Sequence, residues 1–182
     1  WEEMLSGQRR RTWELMEELL GDTSVFHVFL YANDYSNLKA AVKSCRHRTE
    51  PANVYIEQGT VPVETIRTAV LENQFEDLPE EMREPAQEAQ RVLLQTGDGQ
   101  LCDVILDRAA LDAVYRAGKE SGNEFLKLYA ELTVACADIK TAVRAARMGK
   151  GREFLERALA PCDSLDVKKL AAAALEGEEA VK

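Results

Sequence analysis

The stretch N-L-K-A-A-V-K-S-C-R, from Asn37 to Arg46, reappears 101 residues later as D-I-K-T-A-V-R-A-A-R, from Asp138 to Arg147. Four of the ten residue pairs are identical, and most of the others are conservative. Apolar residues around both copies recur at steps of three and four, which places them on one face of an α-helix. They are Val28, Tyr31, Tyr35, Leu38, Val42 and Cys45 in the first copy, and Tyr129, Leu132, Cys136, Ile139, Val143 and Ala146 in the second. This repeat predicts an architecture of similar helical units.

The rest of the sequence also has helical periodicity, so we predict an all-α protein. The predicted helices cover about residues 1–20, 22–48, 60–71, 77–96, 101–120 and 124–148, followed by a last helix capped by Ser164. The one candidate strand is the short stretch N-V-Y-I, from Asn53 to Ile56. Thr60 and Ser164 each open a short helix after a loop, so the repeated unit is a long helix, a linker and a short capped helix. We therefore expect residues 22–72 to superpose on residues 123–176.

The repeat divides the chain into helical units, of which two are visible out of a presumed three. A partial first unit covers residues 1–59, a second covers 60–160, and a truncated third begins at 161–182. An amphipathic pattern already runs at Trp1, so we expect the sequence to be a piece of a longer protein. The predicted core consists of the apolar faces of both copies, with Tyr35, Leu38, Val42, Leu132, Ile139 and Val143 as its central residues.

Composition limits the classes of protein that the chain can belong to. Its 182 residues, 46% of them apolar, suffice for a sizeable globular core. No apolar run approaches the roughly 20 residues that span a bilayer, and the acidic start W-E-E-M-L is unlike a signal peptide. The net charge of −9 disfavours nucleic acid as a partner. The four cysteines form no CxxC pair, so we predict buried free thiols in a reducing compartment.

The motifs of common catalytic sites are missing from the sequence. There is no GxxxxGK[ST] loop and no GxGxxG, so no nucleotide-binding motif is present. His27 and His47 lie 20 residues apart without acidic or thiol neighbours at metal-ligand spacing, and we interpret both as surface or partly buried residues. Asp103 and Asp107 lie one helical turn apart and are candidates for acid–base work, but capping or ion pairing explains them more simply. We predict no catalytic residue, cofactor or metal.

Two rows of basic residues occupy matching positions in the two copies. The first basic row is Lys39, Lys43 and Arg46, and the second basic row is Lys140, Arg144 and Arg147. One interpretation is that the rows pair with carboxylates of the same chain and fix the repeats together. The other is that they face an acidic partner, which makes all six residues candidates for partner binding. An acidic row, interpreted mainly as a solvated face, consists of Glu72, Glu76, Asp77, Glu80, Glu81, Glu84 and Glu88.

Four pieces of the sequence, in this order, resemble one family. They are N-D-Y-S-N-L-K-A-A-V-K from Asn33, D-R-A-A-L-D-A-V-Y from Asp107, S-G-N-E-F-L from Ser121 and A-D-I-K-T-A-V-R-A-A-R from Ala137. Together they are similar to the C subunit of V-type (archaeal and bacterial A/V-type) ATP synthases, whose eukaryotic counterpart is the d subunit of the vacuolar ATPase. That family usually has Asn before the second I-K, where this chain has Asp138.

The resemblance implies an all-helical, funnel-shaped subunit of three similar units without catalytic residues or cofactors. It implies a place on the cytoplasmic face of the membrane, in the central stalk of a rotary motor. In that place the protein would couple the central-shaft subunits of the catalytic head to the membrane proteolipid ring, during proton or sodium transport. It implies neither nucleic acid as a partner nor direct nucleotide binding.

Two alternatives stay open on the sequence alone. The first is a helical-repeat adaptor unrelated to rotary ATPases, which would share the repeat but not the four ordered pieces. The second is an enzyme that uses Asp103, Asp107 or a histidine. A pocket joining those residues would favour the enzyme, and a packed helical interior around them would not.

Overall fold

The computed structural model describes residues 2–47 and 54–181 of the chain. Within these ranges the protein is all-α and has no β-strand, as predicted. The described part of the strand candidate, Val54 to Ile56, is irregular, so that prediction is wrong there, and Asn53 lies outside the described residues.

Nine α-helices and two short 3₁₀ helices make up the described chain. The α-helices are α1 (Glu2–Leu20), α2 (Tyr31–His47), α3 (Val63–Glu72), α4 (Glu80–Thr96), α5 (Gly99–Glu120), α6 (Glu124–Arg147), α7 (Arg152–Ala158), α8 (Val167–Glu176) and α9 (Glu178–Val181). The 3₁₀ helices are Ser24–Phe29 and Phe75–Asp77.

Side-chain caps fix the starts of three helices. The carboxylate of Asp98 accepts the N–H of Leu101 at 2.9 Å and so begins α5. The amide oxygen of Asn123 accepts two N–H groups of the first turn of α6, and Asp166 does the same for α8. Such caps satisfy backbone donors that have no partner inside the helix. They explain why the helices of the second half begin where polar residues interrupt the apolar pattern.

Several predicted helix limits are wrong. The helix predicted over 22–48 is broken at Leu30, because the 3₁₀ segment before it packs Val28 against α5 and α6. Thr60 does not cap α3, which begins after Pro62, and Ser164 does not cap α8, which begins after Asp166. Helix α7 was not predicted at all.

The largest apolar core lies between α2, α3, α4 and α5. Leu38 and Val42 of α2, Ile66 of α3, Ala86 of α4 and Leu106 of α5 are all fully buried in it. This core includes residues on both sides of position 60, where we divided the first unit from the second; that division stays a prediction. A second, smaller core joins α6, α7 and α8.

The core predicted for α2 is confirmed, but two of the three core residues predicted for α6 are exposed. Tyr35, Leu38 and Val42 are at most 3% exposed. Leu132 is 53% and Ile139 40% exposed, while Val143 is half-buried. Helix α6 instead turns a different face inward, formed by Leu126, Ala130, Val134, Asp138, Ala142 and Ala145.

Small residues on that inward face let α6 approach α5 closely. The two helices are joined by the turn at Ser121–Asn123, and the contact is closest at Gly118 of α5. A Cβ atom at position 118 would lie 2.3 Å from the Cβ of Ala130 and 2.9 Å from the carbonyl oxygen of Leu126. A side chain at Gly118 would therefore force the two helices apart.

Pro85 lies inside α4 without ending it. Proline has no N–H, so the carbonyl of Glu81, four residues earlier, lacks its partner within the helix. The hydroxyl of Tyr35 on α2 donates to that carbonyl at 3.2 Å. A core side chain of α2 therefore replaces the hydrogen bond that α4 loses at Pro85.

Candidate functional site

The first basic row pairs with carboxylates of α5. The ammonium of Lys39 donates to Asp107 at 2.5 Å, and that of Lys43 donates to Asp103 at 2.8 Å. Because α2 and α5 run side by side, two residues one turn apart on each helix meet. The interpretation that these basic residues pair internally is confirmed for Lys39 and Lys43, and the side chain of Arg46 lies outside the described part.

The second basic row is placed differently. Arg147 makes two hydrogen bonds, each of 2.6 Å, to the carboxylate of Glu178 at the start of α9. Lys140 and Arg144 are exposed, and neither forms an ion pair within the part of the chain that the structure describes. The two basic rows therefore share their spacing but not their surroundings.

A cleft of about 210 Å³ lies between α5, α6 and α7, and it does join Asp103 and Asp107. Its wall is completed by Gln100, Val104, Leu111, Thr141, Arg144, Ala145, Met148, Phe154 and Ala158. Both carboxylates are already engaged by lysines of α2, and the lining contains neither histidine nor cysteine. The cleft thus brings the two predicted acids together, but no histidine or thiol joins them in its lining.

Buried polar side chains of α2 hold the linker before α3. Asn37 is fully buried, and its amide both donates to the carbonyl of Ile56 and accepts the N–H of Ile56, each at 2.8 Å. One turn earlier, Asp34 accepts the N–H and the hydroxyl of Thr60 and the N–H of Val61. Burial raises the pKa of Asp34, and these hydrogen bonds partly offset the rise.

The linker approaches α2 so closely that a side chain at position 59 would displace the carboxylate of Asp34. A Cβ at Gly59 would lie 2.2 Å from a carboxylate oxygen of Asp34. Asn33 adds a hydrogen bond of 2.6 Å from its amide to the carbonyl of Gln58. Asn33, Asp34 and Gly59 were not predicted as site residues, although a pair of polar residues beside the apolar face of a predicted helix was a signal for this contact.

Helix α6 holds the segment after α7 with corresponding contacts. Asp138, the counterpart of Asn37, is fully buried and accepts the N–H of Ala160 at 3.0 Å. Glu131 accepts the N–H groups of Asp163 and Ser164 at 3.1 and 2.7 Å. In each half a polar residue of the long helix thus binds the backbone of the following linker. Superposition of the two segments as whole units stays a prediction.

The change from amide to carboxylate leaves one atom of this contact without a partner. The second carboxylate oxygen of Asp138 is buried and accepts no hydrogen bond. Burial raises the pKa of Asp138 to about 6, although the hydrogen bond from Ala160 and the nearby guanidinium of Arg108 oppose the rise. The carboxylate of Asp138 is therefore less well satisfied by hydrogen bonds than the amide of Asn37 in the first copy.

Side chains of α5 hold the same segment from its other side. Arg108 binds the carboxylate of Asp112 and donates to the carbonyl of Leu159. Tyr115 donates to Asp163 at 2.7 Å, and Lys119 forms an ion pair with the same carboxylate. The chain from 159 to 164 is thereby fixed to both α5 and α6.

Other predicted features have mixed outcomes in the described residues. His27 is half-buried as predicted, and the side chain of His47 lies outside the described part of the chain. The cysteines are free, but only Cys102 is buried and Cys136 is exposed, so burial was wrongly predicted for Cys136. No group of three potential metal ligands occurs among the described residues. None of the helices described is both long enough and apolar enough to cross a bilayer.

The fold and these clusters define an all-helical protein in which polar side chains fix linkers and neighbouring helices to one another. The chain belongs to the ATP synthase (C/AC39) subunit family, whose sequence model matches residues 1–182. This confirms the family expected from the four ordered sequence pieces. No match to the chain was found among curated proteins or among solved structures.

Proposed function

We propose that this chain is a non-catalytic part of the central stalk of a V/A-type rotary ATP synthase or ATPase. It couples the central-shaft subunits of the catalytic head to the membrane proteolipid ring, in proton or sodium transport. The observation that carries the proposal is the family match over residues 1–182. In the complex the chain is a peripheral component on the cytoplasmic face of the membrane.

The contacts within the chain support a mechanical role. A coupling element must pass torque without deforming, so its linkers must not yield. Buried side chains hold both the linker after α2, through Asp34 and Asn37, and the segment after α7, through Asp138. A buried hydrogen bond is costly to break without replacement, which favours one arrangement of the helices.

The cleft between α5 and α6 joins Asp103 and Asp107, which would favour an enzyme, but the contacts of these two carboxylates support a structural role instead. A general base must lie within hydrogen-bond reach of the proton that it abstracts. Asp103 and Asp107 instead form ion pairs with Lys43 and Lys39. We therefore assign these carboxylates to the joint between α2 and α5 and expect the purified chain neither to bind nor to hydrolyse ATP.

The six basic residues predicted to bind a partner do not all have the same role in this proposal. Lys39, Lys43 and Arg147 have partners within the chain. Lys140 and Arg144 lack an ion pair in the described structure, so we propose these two as the partner-facing members of the six candidates. Arg46 stays a candidate for partner binding on the basis of the sequence alone.

The decisive experiment measures binding of the intact subunit to isolated shaft subunits and to purified proteolipid ring. We expect affinity for both, and weaker binding at high salt where charge contributes, because the Debye length falls to about 3 Å near 1 M. A complex assembled without the subunit should still hydrolyse ATP in its head but should not move ions. Absence of affinity for both partners at low salt would refute the coupling role.

A further inference from the structure

Helix α6 exposes a continuous row of large apolar side chains. Phe125, Leu128, Leu132 and Ile139 are 67%, 56%, 53% and 40% exposed, and they lie at helical spacing on one face. We call these four residues the α6 seam. At 1.5 Å per residue the seam is about 21 Å long, which is the length of an ordinary helix–helix contact.

The face of α2 that corresponds in sequence to the α6 seam is covered by other helices of the chain. Tyr35, Leu38 and Val42 are buried against α4 and α5 in the main core. Beside them, Lys39 and Lys43 pair with Asp107 and Asp103, which lie four residues apart on α5. Helices α3, α4 and α5 cover this face of α2, and α5 combines an apolar face with the two carboxylates that pair with the lysines.

Helix α6 carries the same surface without its cover. Cys136, Ile139 and Val143 stand where α2 has Tyr35, Leu38 and Val42, and Lys140 and Arg144 stand where α2 has its lysines. Cys136 and Ile139 are exposed, and the two cations have no ion pair in the described ranges. Arg144 also borders the cleft between α5 and α6.

We propose that the α6 seam binds an amphipathic helix of another subunit, one that carries two carboxylates four residues apart. The helix packs on α6 as α5 packs on α2, with its carboxylates next to Lys140 and Arg144. Charge complementarity and the observed packing of α5 identify this occupant. The inference deepens the proposed function, and it rests on that function for placing the helix in another subunit of the complex.

A labelled peptide with the sequence of residues 99–120 is the probe, because the structure shows that this helix fits such a surface. We expect saturable binding to the chain in a fluorescence-anisotropy titration. A peptide with Asp103→Asn and Asp107→Asn should bind roughly three- to tenfold more weakly, since each exposed ion pair contributes modestly. Equal affinity of the two peptides would refute the role of the carboxylates.

Variants of the chain locate the binding surface. Leu132→Asp places a charge in the seam and should abolish binding, and Lys140→Glu should weaken it by about the same factor as the peptide change. Lys127→Glu is the matched control, because Lys127 is exposed on α6 but outside the seam. It should leave affinity unchanged, and circular dichroism should show all three variants folded.

Three outcomes would overturn the inference. They are no binding of the peptide, unchanged binding to Leu132→Asp, and concentration-dependent self-association that Leu132→Asp removes, which would make a second copy of the chain the occupant. None of them affects the assembly of the intact subunit with shaft and ring. That assay alone decides the proposed function, so the two failures are distinguishable.

Discussion

At the scale of single residues, an amide in one half of the chain and a carboxylate in the other half bind the backbone of a following segment. Asn37 and Asp138 occupy matching positions and are both fully buried. The amide offers a donor and an acceptor to the backbone of Ile56, whereas the carboxylate offers only acceptors unless it is protonated. The contribution of the Asp138 contact to stability should therefore depend on pH, whereas that of the Asn37 contact should not.

Asp138→Asn should stabilise the protein at neutral pH and leave it nearly unchanged near pH 4. The pKa of Asp138 is about 6 in the folded protein, above the ordinary 3.8, so its contribution to stability is lost as pH rises through 6. An amide escapes that loss, and we expect a gain of roughly 1–3 kcal/mol at pH 7.5. Chemical denaturation at both pH values measures it.

Asn37→Asp is the reciprocal control for that experiment. It places a carboxylate against the carbonyl of Ile56, which Asn37 now satisfies as a donor. We expect it to destabilise the protein most at neutral pH. A gain from Asp138→Asn that was the same at every pH would show that titration of Asp138 is not the cause.

Tyr35→Phe tests the hydrogen bond that replaces the one lost at Pro85. The ring stays in the core, but the carbonyl of Glu81 loses its donor. We expect a loss of about 1 kcal/mol, the usual net contribution of one hydrogen bond to stability. Adding Pro85→Ala to that variant should recover part of the loss, since an alanine at this position restores the helical N–H. No recovery would mean that the Tyr35 hydroxyl acts in another way.

At the scale of helices, the two long repeat helices differ in which face is covered. Leu38 and Ile139 are counterparts in sequence, yet Leu38 is fully buried and Ile139 is 40% exposed. Leu38→Ala should cost about 2–5 kcal/mol, because it removes buried methyl groups and leaves a cavity. Ile139→Ala should cost less than about 1 kcal/mol. Thermal unfolding of the two variants tests the pair, and similar losses would contradict the exposed seam.

This difference shows what the sequence can predict about the helices and what it cannot. Their existence followed from periodicity, and the predicted limits at residues 20 and 124 match the ends observed for α1 and α6. The inward face of α6 did not follow, because α6 has apolar residues on two faces, one with Leu126 and Val134 and the other with Leu132 and Ile139. Only the neighbours in three dimensions decide which face is buried.

The candidate site, like the helices, could be predicted only in part from the sequence. The two basic rows were visible as a repeated spacing, and Asp103 and Asp107 as carboxylates one turn apart. That these groups meet was not visible, because Lys39 and Asp107 are 68 residues apart in the chain. The linker contacts of Asp34 and Asp138 could not be predicted either, because their partners are backbone groups, which every residue has.

At the scale of the whole molecule, the two basic rows should have separate roles. Reversing Lys39 and Lys43 to Glu sets like charges against Asp107 and Asp103 across the joint of α2 and α5. We expect a loss of roughly 1–2 kcal/mol of stability, because half-exposed pairs are individually weak. Reversing Lys140 and Arg144 should change stability by less than about 0.5 kcal/mol but should lower affinity for the complex.

The measurements for this comparison are thermal unfolding and binding of the intact subunit to shaft and ring. The two double variants introduce the same number of charges and so control for each other. If reversal of Lys140 and Arg144 unfolded the protein, or left every binding step unchanged, these residues would not be partner-facing.

The exposed thiol of Cys136 gives the seam a chemical reporter. Cys136 lies between Leu132 and Ile139 in sequence and is open to solvent, while Cys102 is buried and the other two thiols are half-buried. In a Cys45→Ser, Cys162→Ser background, an alkylating reagent would therefore mark chiefly Cys136. The rate of alkylation before and after assembly would footprint that face of α6 inside the native membrane complex, without any structure of the complex being needed.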